Sequence, residues 1–330
     1  MFAYLSSPAE RDRFVLDRRP PRRVVHDPWS AQGVVVEDER TEDGGAARTA
    51  TLFLTGRECP WRCVMCDLWQ FTTPGDTPGG AIAAQVAAAR PALSNQPAPV
   101  TQIKLYNAGS FFDPRAVPDG DVAPIASHLS GFARVIVESH PSLVGDRTRR
   151  FIDELAKQPA PPRLEVAMGL ETAHPQALDR LHKRITLDGF AQASARLAAL
   201  GARLRVFLLV FPPFVAPDEQ DEWLVRSVDA AFAFGASAVS LIPTRTGNGA
   251  IDAFVDDGTY VPPRLRDLER SLMLALARRP APDRRVFADL WDLDRFADCP
   301  TCLEARRVRL HRMNLGQAVL PEVECRRCAH

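Results

Sequence analysis

The chain has 330 residues, 46% of them hydrophobic and 25% charged, with a formal net charge of zero. That balance is ordinary for a soluble globular protein and gives no overall field to draw the chain to nucleic acid or anionic membrane. No apolar run approaches the roughly 18 residues of a membrane span, so no membrane partner is expected.

Residues 1–48 form a mixed N-terminal extension, with an arginine-rich run at Arg18–Arg23, acidic Glu37–Glu39, and Gly44 beside Gly45. Val24–Val25 and Val34–Val36 are candidates for short edge strands. Met1–Pro20 has no long apolar core, and Glu10, Asp12 and Asp17 interrupt its arginines, so neither a signal nor a transit peptide is expected. Seven cysteines at metal-ligand spacings point to thiolate chemistry in a reducing compartment, and a cytoplasmic location is expected.

From residue 49 to 282 short apolar runs alternate with helical stretches. The runs Thr51–Leu54, Gln102–Leu105, Arg134–Val137, Leu164–Met168, Leu204–Val210 and Ala238–Ile242 predict buried strands. Helices are expected at Ala81–Arg90, Val122–Leu129, Arg147–Lys157, Leu187–Leu200 and Glu219–Phe234, and an amphipathic helix over Pro262–Arg278. This alternation predicts a parallel α/β arrangement, with ligands gathered at the carboxyl ends of the strands. The pattern alone does not separate a partial barrel from an open doubly wound sheet.

Cys59, Cys63 and Cys66 follow the first of these strands in a Cys-x3-Cys-x2-Cys loop. Three such thiolates can hold three irons of a [4Fe–4S] cubane, leaving one iron open to bind and reduce a small molecule. A structural zinc site would want a fourth ligand, and no Cys or His lies nearby. The spacing resembles that of the radical S-adenosylmethionine (SAM) superfamily, which implies a partial (β/α)6 TIM-like barrel, a [4Fe–4S] cluster, bound SAM, and an external electron donor of the ferredoxin or flavodoxin type. Asn107–Pro114, Glu138–Pro141, Gly169–Thr172, Phe211–Phe214 and Tyr260–Pro263 occur in the order of its elongator-type and archaeosine-synthase-type branch, which modifies tRNA bases.

The resemblance implies SAM contacts at the strand ends. Asn107, Ala108, Gly109 and Ser110 stand where the superfamily carries a Gly-Gly-Glu-like element, and their small side chains would allow close backbone approach. Glu138 and Glu171 end the third and fourth strands and can accept from the ribose hydroxyls or the SAM ammonium. An ion pair with a neighbouring arginine is the alternative for Glu138. Lys183 and Arg184 occupy the segment whose basic residue meets the methionyl carboxylate, and a solvated helix-end cation is the other reading for either. Met65 stands where many relatives carry an aromatic residue near adenine, and its thioether can pack on the same face.

Residues 283–330 are expected to form a small C-terminal lobe. Cys299, Cys302, Cys325 and Cys328 make two Cys-x2-Cys knuckles, which suit a structural zinc or, as the competing reading, an auxiliary [4Fe–4S] cluster. Arg306, Arg307, Arg309, Arg312, Arg326 and Arg327 lie on or between the knuckles and are expected to face outward, where they could hold phosphates. The leading function is a radical SAM enzyme acting on a substrate such as an RNA base. The alternatives are a non-catalytic, metal-stabilised nucleic-acid-binding protein and an electron-carrying iron–sulfur protein.

Overall fold

The computed structural model describes residues 7–328. In chain order the regular elements are α1 (Pro8–Asp17), β1 (Gly33–Arg40), β2 (Ala46–Leu54), α2 (Ala81–Ser94), β3 (Gln102–Asn107), α3 (Val122–His128), β4 (Arg134–Glu138), α4 (Asp146–Ala156), β5 (Arg163–Glu171) and α5 (Pro175–Arg180). They continue with α6 (Leu187–Ala199), β6 (Arg203–Val210), α7 (Gln220–Ala233), β7 (Ala238–Pro243), α8 (Ala250–Asp256), α9 (Leu265–Ala277), β8 (Arg285–Ala288) and α10 (Leu303–Gly316).

One sheet takes all eight strands in sequence order, and it curls into a partial barrel. Strands β2 to β8 are parallel, and β1 pairs antiparallel with β2 at the edge, Gly33 opposite Phe53. The six apolar runs are β2 to β7. They are buried on both faces because helices cover the outside and the curl encloses the inside. The two further strands come from the flanking segments, so the sheet exceeds the six-unit expectation. Val34–Val36 lies in β1 as an edge strand, whereas Val24 and Val25 form no strand and stay exposed. β8 has only four residues and opens on Arg285, too short to show a period.

Helix placement follows apolar spacing. On α9, Leu265, Leu268, Leu272 and Leu276 fall on one face and are buried. α1 begins with a capping box, in which Ser7 and Glu10 satisfy each other's backbone N–H groups, and Pro8 sits in the first turn. The curl leaves β8 unpaired with β1, and α10 fills the gap. Its Leu310 and Met313 join the main core, while Arg40 of β1 donates to the Leu315 carbonyl at 3.3 Å.

The amino-terminal end of the curl is filled by charge rather than hydrocarbon. Glu165 of β5, fully buried, accepts from Arg205 Nε at 2.6 Å and from Arg134 Nη1 at 2.5 Å, with Arg285 at 3.5 Å. Glu39 of β1 meets Lys104 and Arg205, each at 2.5 Å. Burial opposes ionisation of Glu165, but Arg205, Arg285 and Arg134 hold its carboxyl down to about 2. This plug ties β1 to the parallel strands and leaves the opposite end of the curl open for a ligand.

Candidate active site

The cysteine loop leaves β2 at the carboxyl end of the sheet and is held from three directions. Gln85 of α2 accepts from Thr55 N and donates to Thr55 O, both at 2.8 Å, fixing the start of the loop. Val64 N donates to Leu181 O at 3.0 Å, beyond α5. Asn248, in the loop after β7, donates through Nδ2 to Val64 O at 2.7 Å and to Cys66 O at 3.4 Å.

Cys59, Cys63 and Cys66 all line one cleft of about 200 Å³ at the strand ends. Met65, Ala108, Gly109, Ser110, Glu138, Glu171 and Lys183 line the same cleft. Asn107 lies outside it, buried, with neither Oδ1 nor Nδ2 paired among the described residues. Arg184 does not join the group: its side chain turns outward to Asp12 of α1, Nη2 to Oδ2 at 2.6 Å. Ser110 contributes less than a free hydroxyl, because its Oγ accepts from the His140 backbone N–H at 2.7 Å.

Within the cleft Lys183 Nζ is ion-paired to Glu171, and the pair sits over Gly169, where any Cβ would collide with both side chains. Burial would lower the Lys183 ammonium, but Glu171, with Cys63 and Glu138 beside it, raises its pKa. Among the described residues Glu138 has no such partner. Burial pushes its carboxyl up to about 7, with Lys183 opposing the rise and Glu171 adding to it. The cleft therefore brings the Glu171–Lys183 pair beside an acid poised near neutrality.

Sequence reasoning did not single out His140, Trp61, Asp67, Arg245 or Asn248. The Trp61 and His140 rings stack at 3.6 Å, 9° from parallel, on the cleft wall. Burial, then the Lys183 charge, lower His140 to about 3, so it is neutral. Its Nε2 donates to Lys183 O at 3.0 Å and its Nδ1 accepts from Ser142 N at 3.2 Å. His140 was legible within the Glu138–Pro141 segment, but nothing in the sequence marked Arg245 or Asn248.

The donor set suits an iron–sulfur cluster. Burial pushes the Cys63 thiol up to about 12 and Cys66 well above its usual range, so thiolates here need a cationic centre to stay ionised. Their sulfurs do not gather as tightly as ligands of a single ion do, since the tight group among the described residues is the C-terminal one. A cubane separates its thiolates across different irons, which is compatible with this looser set. Gly109 lines the cleft, and the Arg57 carbonyl packs against it so closely that no side chain fits, so it offers the cleft backbone alone.

The second cysteine group is compact. All four sulfurs of Cys299, Cys302, Cys325 and Cys328 lie within 4.8 Å of one another, and Cys302 and Cys328 are 3.4 Å apart. A tetrahedron of thiolates about 2.3 Å from one ion has edges of about 3.7 Å, a spacing that this compact group can meet. The backbone N–H groups of Thr301 and Cys302 point at Cys299 and lower its thiol to about 6, and those of Arg327 and Cys328 push the Cys325 thiol in the same downward direction. The arginines do not all face outward as expected. Arg306 and Arg309 turn onto Glu269 of α9 at 3.1 and 3.0 Å, and Arg309 also donates to Leu320 O and Pro321 O. Glu269 is buried and would otherwise be an unpaired charge, which is why these two side chains are drawn inward. Arg326 and Arg327 remain exposed.

No family model matches the chain. Its sequence is 25% identical over 279 residues to archaeosine synthase subunit beta of Methanosarcina acetivorans, covering 82% of this chain and 79% of that protein. Among solved structures, methylornithine synthase superposes with a TM-score of 0.53 at 14% identity, over 94% of this chain and 77% of that one. An amino-terminally truncated archaeal Elp3 of Methanocaldococcus infernus superposes with a TM-score of 0.51 at 14% identity, and the chain spans 59% of it while 70% of this chain is covered. The likeness to the solved structures is one of fold. These likenesses give the chain the partial-barrel fold of those structures and a sequence similarity to archaeosine synthase subunit beta over most of its length. The similarity to archaeosine synthase subunit beta and to the archaeal Elp3 fold lies on the same side as the order of the strand-end segments.

Proposed function

We propose that the chain reductively cleaves SAM in the cleft and uses the resulting radical on a substrate, with an RNA base as the favoured class. The observation that carries this is the convergence of Cys59, Cys63 and Cys66 with Gly109, Glu138 and the Glu171–Lys183 pair on one cleft. Cys59, Cys63 and Cys66 would hold a [4Fe–4S] cluster, which, given an electron from an external ferredoxin- or flavodoxin-type donor, would supply reductive cleavage of SAM to methionine and a 5′-deoxyadenosyl radical able to abstract hydrogen. An electron carrier would need no cleft beside its cluster, and a purely structural metal site would need no poised acid there.

The chain's own groups have separable tasks. Lys183, fixed by Glu171, presents a cation to a carboxylate; Glu138 offers a partner to ammonium or hydroxyl groups; Ala108 and Gly109 allow close backbone approach. Met65 gives an apolar, polarizable surface for a planar ring. The stacked Trp61 and His140, with the loops after β5 and β7 closing on the cysteine loop, exclude water from one side. Cys299, Cys302, Cys325 and Cys328 hold one structural zinc, because their sulfurs crowd too closely for a cubane. The RNA-base reading is supported by the archaeosine-synthase relatives, and the free, undisulfided cysteines suit the reducing cytoplasm.

Anaerobic reconstitution tests the reading. Wild-type protein should take up about four irons at this loop and, with dithionite, release 5′-deoxyadenosine from SAM. Replacing all three loop cysteines with alanine should abolish both. Iron retained by that variant, or an intact cluster that leaves bound SAM uncleaved, would refute the proposal.

A further inference from the structure

We propose that Asp12, on the amino-terminal helix α1, is a positioning residue that holds Lys183 in the cleft. His182 and Arg184, the two residues flanking Lys183, both have left-handed backbones, with φ of 58° and 59°. Non-glycine residues occupy that region only where the surroundings compel them, because Cβ crowds the backbone. The compelling group is one carboxylate. Asp12 Oδ1 lies 2.9 Å from His182 Nε2, and its Oδ2 accepts from Arg184 Nη2 at 2.6 Å.

With both flanks drawn to the helix, Lys183 between them is directed the other way, into the cleft and onto Glu171. Its carbonyl is fixed from the cleft side by His140 Nε2 at 3.0 Å. Burial would raise the Asp12 carboxyl, but its bonds to His182 and Arg184 outweigh that and keep it below the usual range. α1 is itself anchored: Phe14 and Val15 pack with Val64, Ile251 and Phe254, and Arg11 donates to Asp179 Oδ2 at 2.9 Å. The amino-terminal extension is thereby part of the site, acting through Lys183 rather than touching a ligand. Arg184 supports the binding cation instead of serving as one.

The chain has three lysines, Lys104, Lys157 and Lys183, which makes the test direct. Brief acetic anhydride labelling of the full chain, read by mass spectrometry, should modify exposed Lys157 quickly and spare Lys104, locked in the buried plug, and Lys183. Asp12→Ala should raise Lys183 labelling about tenfold, the loss of a charge-assisted clamp, with Lys104 unchanged; Asp12→Asn, which keeps one acceptor, should fall between. Unchanged Lys183 protection, or a parallel rise at Lys104 in both variants, would overturn the proposal. A second readout rests on the cleft being the SAM site. In cluster-loaded protein Asp12→Ala should weaken SAM binding but add nothing in a Lys183→Met background, and full additivity would count against a role exerted through Lys183. Cluster-loaded wild type that binds no SAM would sink the SAM reading alone, since the labelling decides the Asp12 question by itself.

Discussion

Asn248 reaches across the curl to Val64, donating through Nδ2 to the Val64 carbonyl at 2.7 Å while its Oδ1 accepts from Ile251 N at 2.8 Å. One buried side chain thus joins the loop after β7 to the cysteine loop after β2 and caps α8 as well. The partial barrel, though open in its hydrogen bonding, is closed at the carboxyl ends of its strands by such cross-loop contacts.

Asn248→Asp should separate these two tasks. The carboxylate can still cap α8, but it turns an acceptor toward the Val64 and Cys66 carbonyls, leaving them unpaired at a cost of about 1–3 kcal/mol to the loop. The variant is expected to keep its helical circular dichroism and to lose iron faster than wild type when exposed to a chelator after reconstitution. Equal chelation rates would show that the loop holds its shape without this bond.

Glu138 gives a pH signature. Its folded-state carboxyl stays protonated up to about pH 7, whereas the unfolded chain releases that proton near 4.5. The folded state therefore binds more protons across this window, and stability should fall as pH rises through it, by up to about 1.4 kcal/mol per pH unit. Urea unfolding of SAM-free wild type and Glu138→Gln between about pH 5 and 7 should show the downward slope flattened in the variant. Parallel slopes would contradict the assignment.

The charged plug predicts the opposite trend. Glu165 is depressed, so its stabilisation is complete above 4.5 and is lost as pH falls toward about 2. Glu165→Gln leaves Arg205, Arg134 and Arg285 without their shared carboxylate, and breaking such a buried set costs about 3–5 kcal/mol. The urea midpoint at neutral pH should drop accordingly, and iron uptake by the folded fraction should be untouched because the plug lies at the far end of the strands.

Metal analysis distinguishes the two cysteine groups. Air-purified protein, its labile iron gone, should retain about one zinc per chain, and Cys302→Ser should release it without changing later iron uptake at Cys59, Cys63 and Cys66. Recovering iron instead of zinc at the C-terminal group would turn that site into an electron relay. Because Arg306 meets both Glu269 and Cys328 Sγ, loss of the metal should also loosen α10 from α9, visible as faster proteolysis near residues 303–316.

The sequence by itself determined the six central strands, most of the helices between them and both cysteine groups. These signals are local: an apolar run buried on both faces needs no knowledge of its neighbours, and ligand spacing within a loop is set by covalent geometry. Tertiary structure decided what depends on the closing of the curl. Lys183 and Arg184 are adjacent and both basic, yet one enters the cleft and the other leaves it, because Asp12, far off in sequence, fixes the backbone between them. Arg309 was expected at the surface and is buried against Glu269 for the same kind of reason. Charged residues scattered over β1, β3, β4, β5, β6 and β8 carry no pattern along the chain, and they become a plug only when the sheet bends them onto one interior, where low polarity makes each charge require a partner.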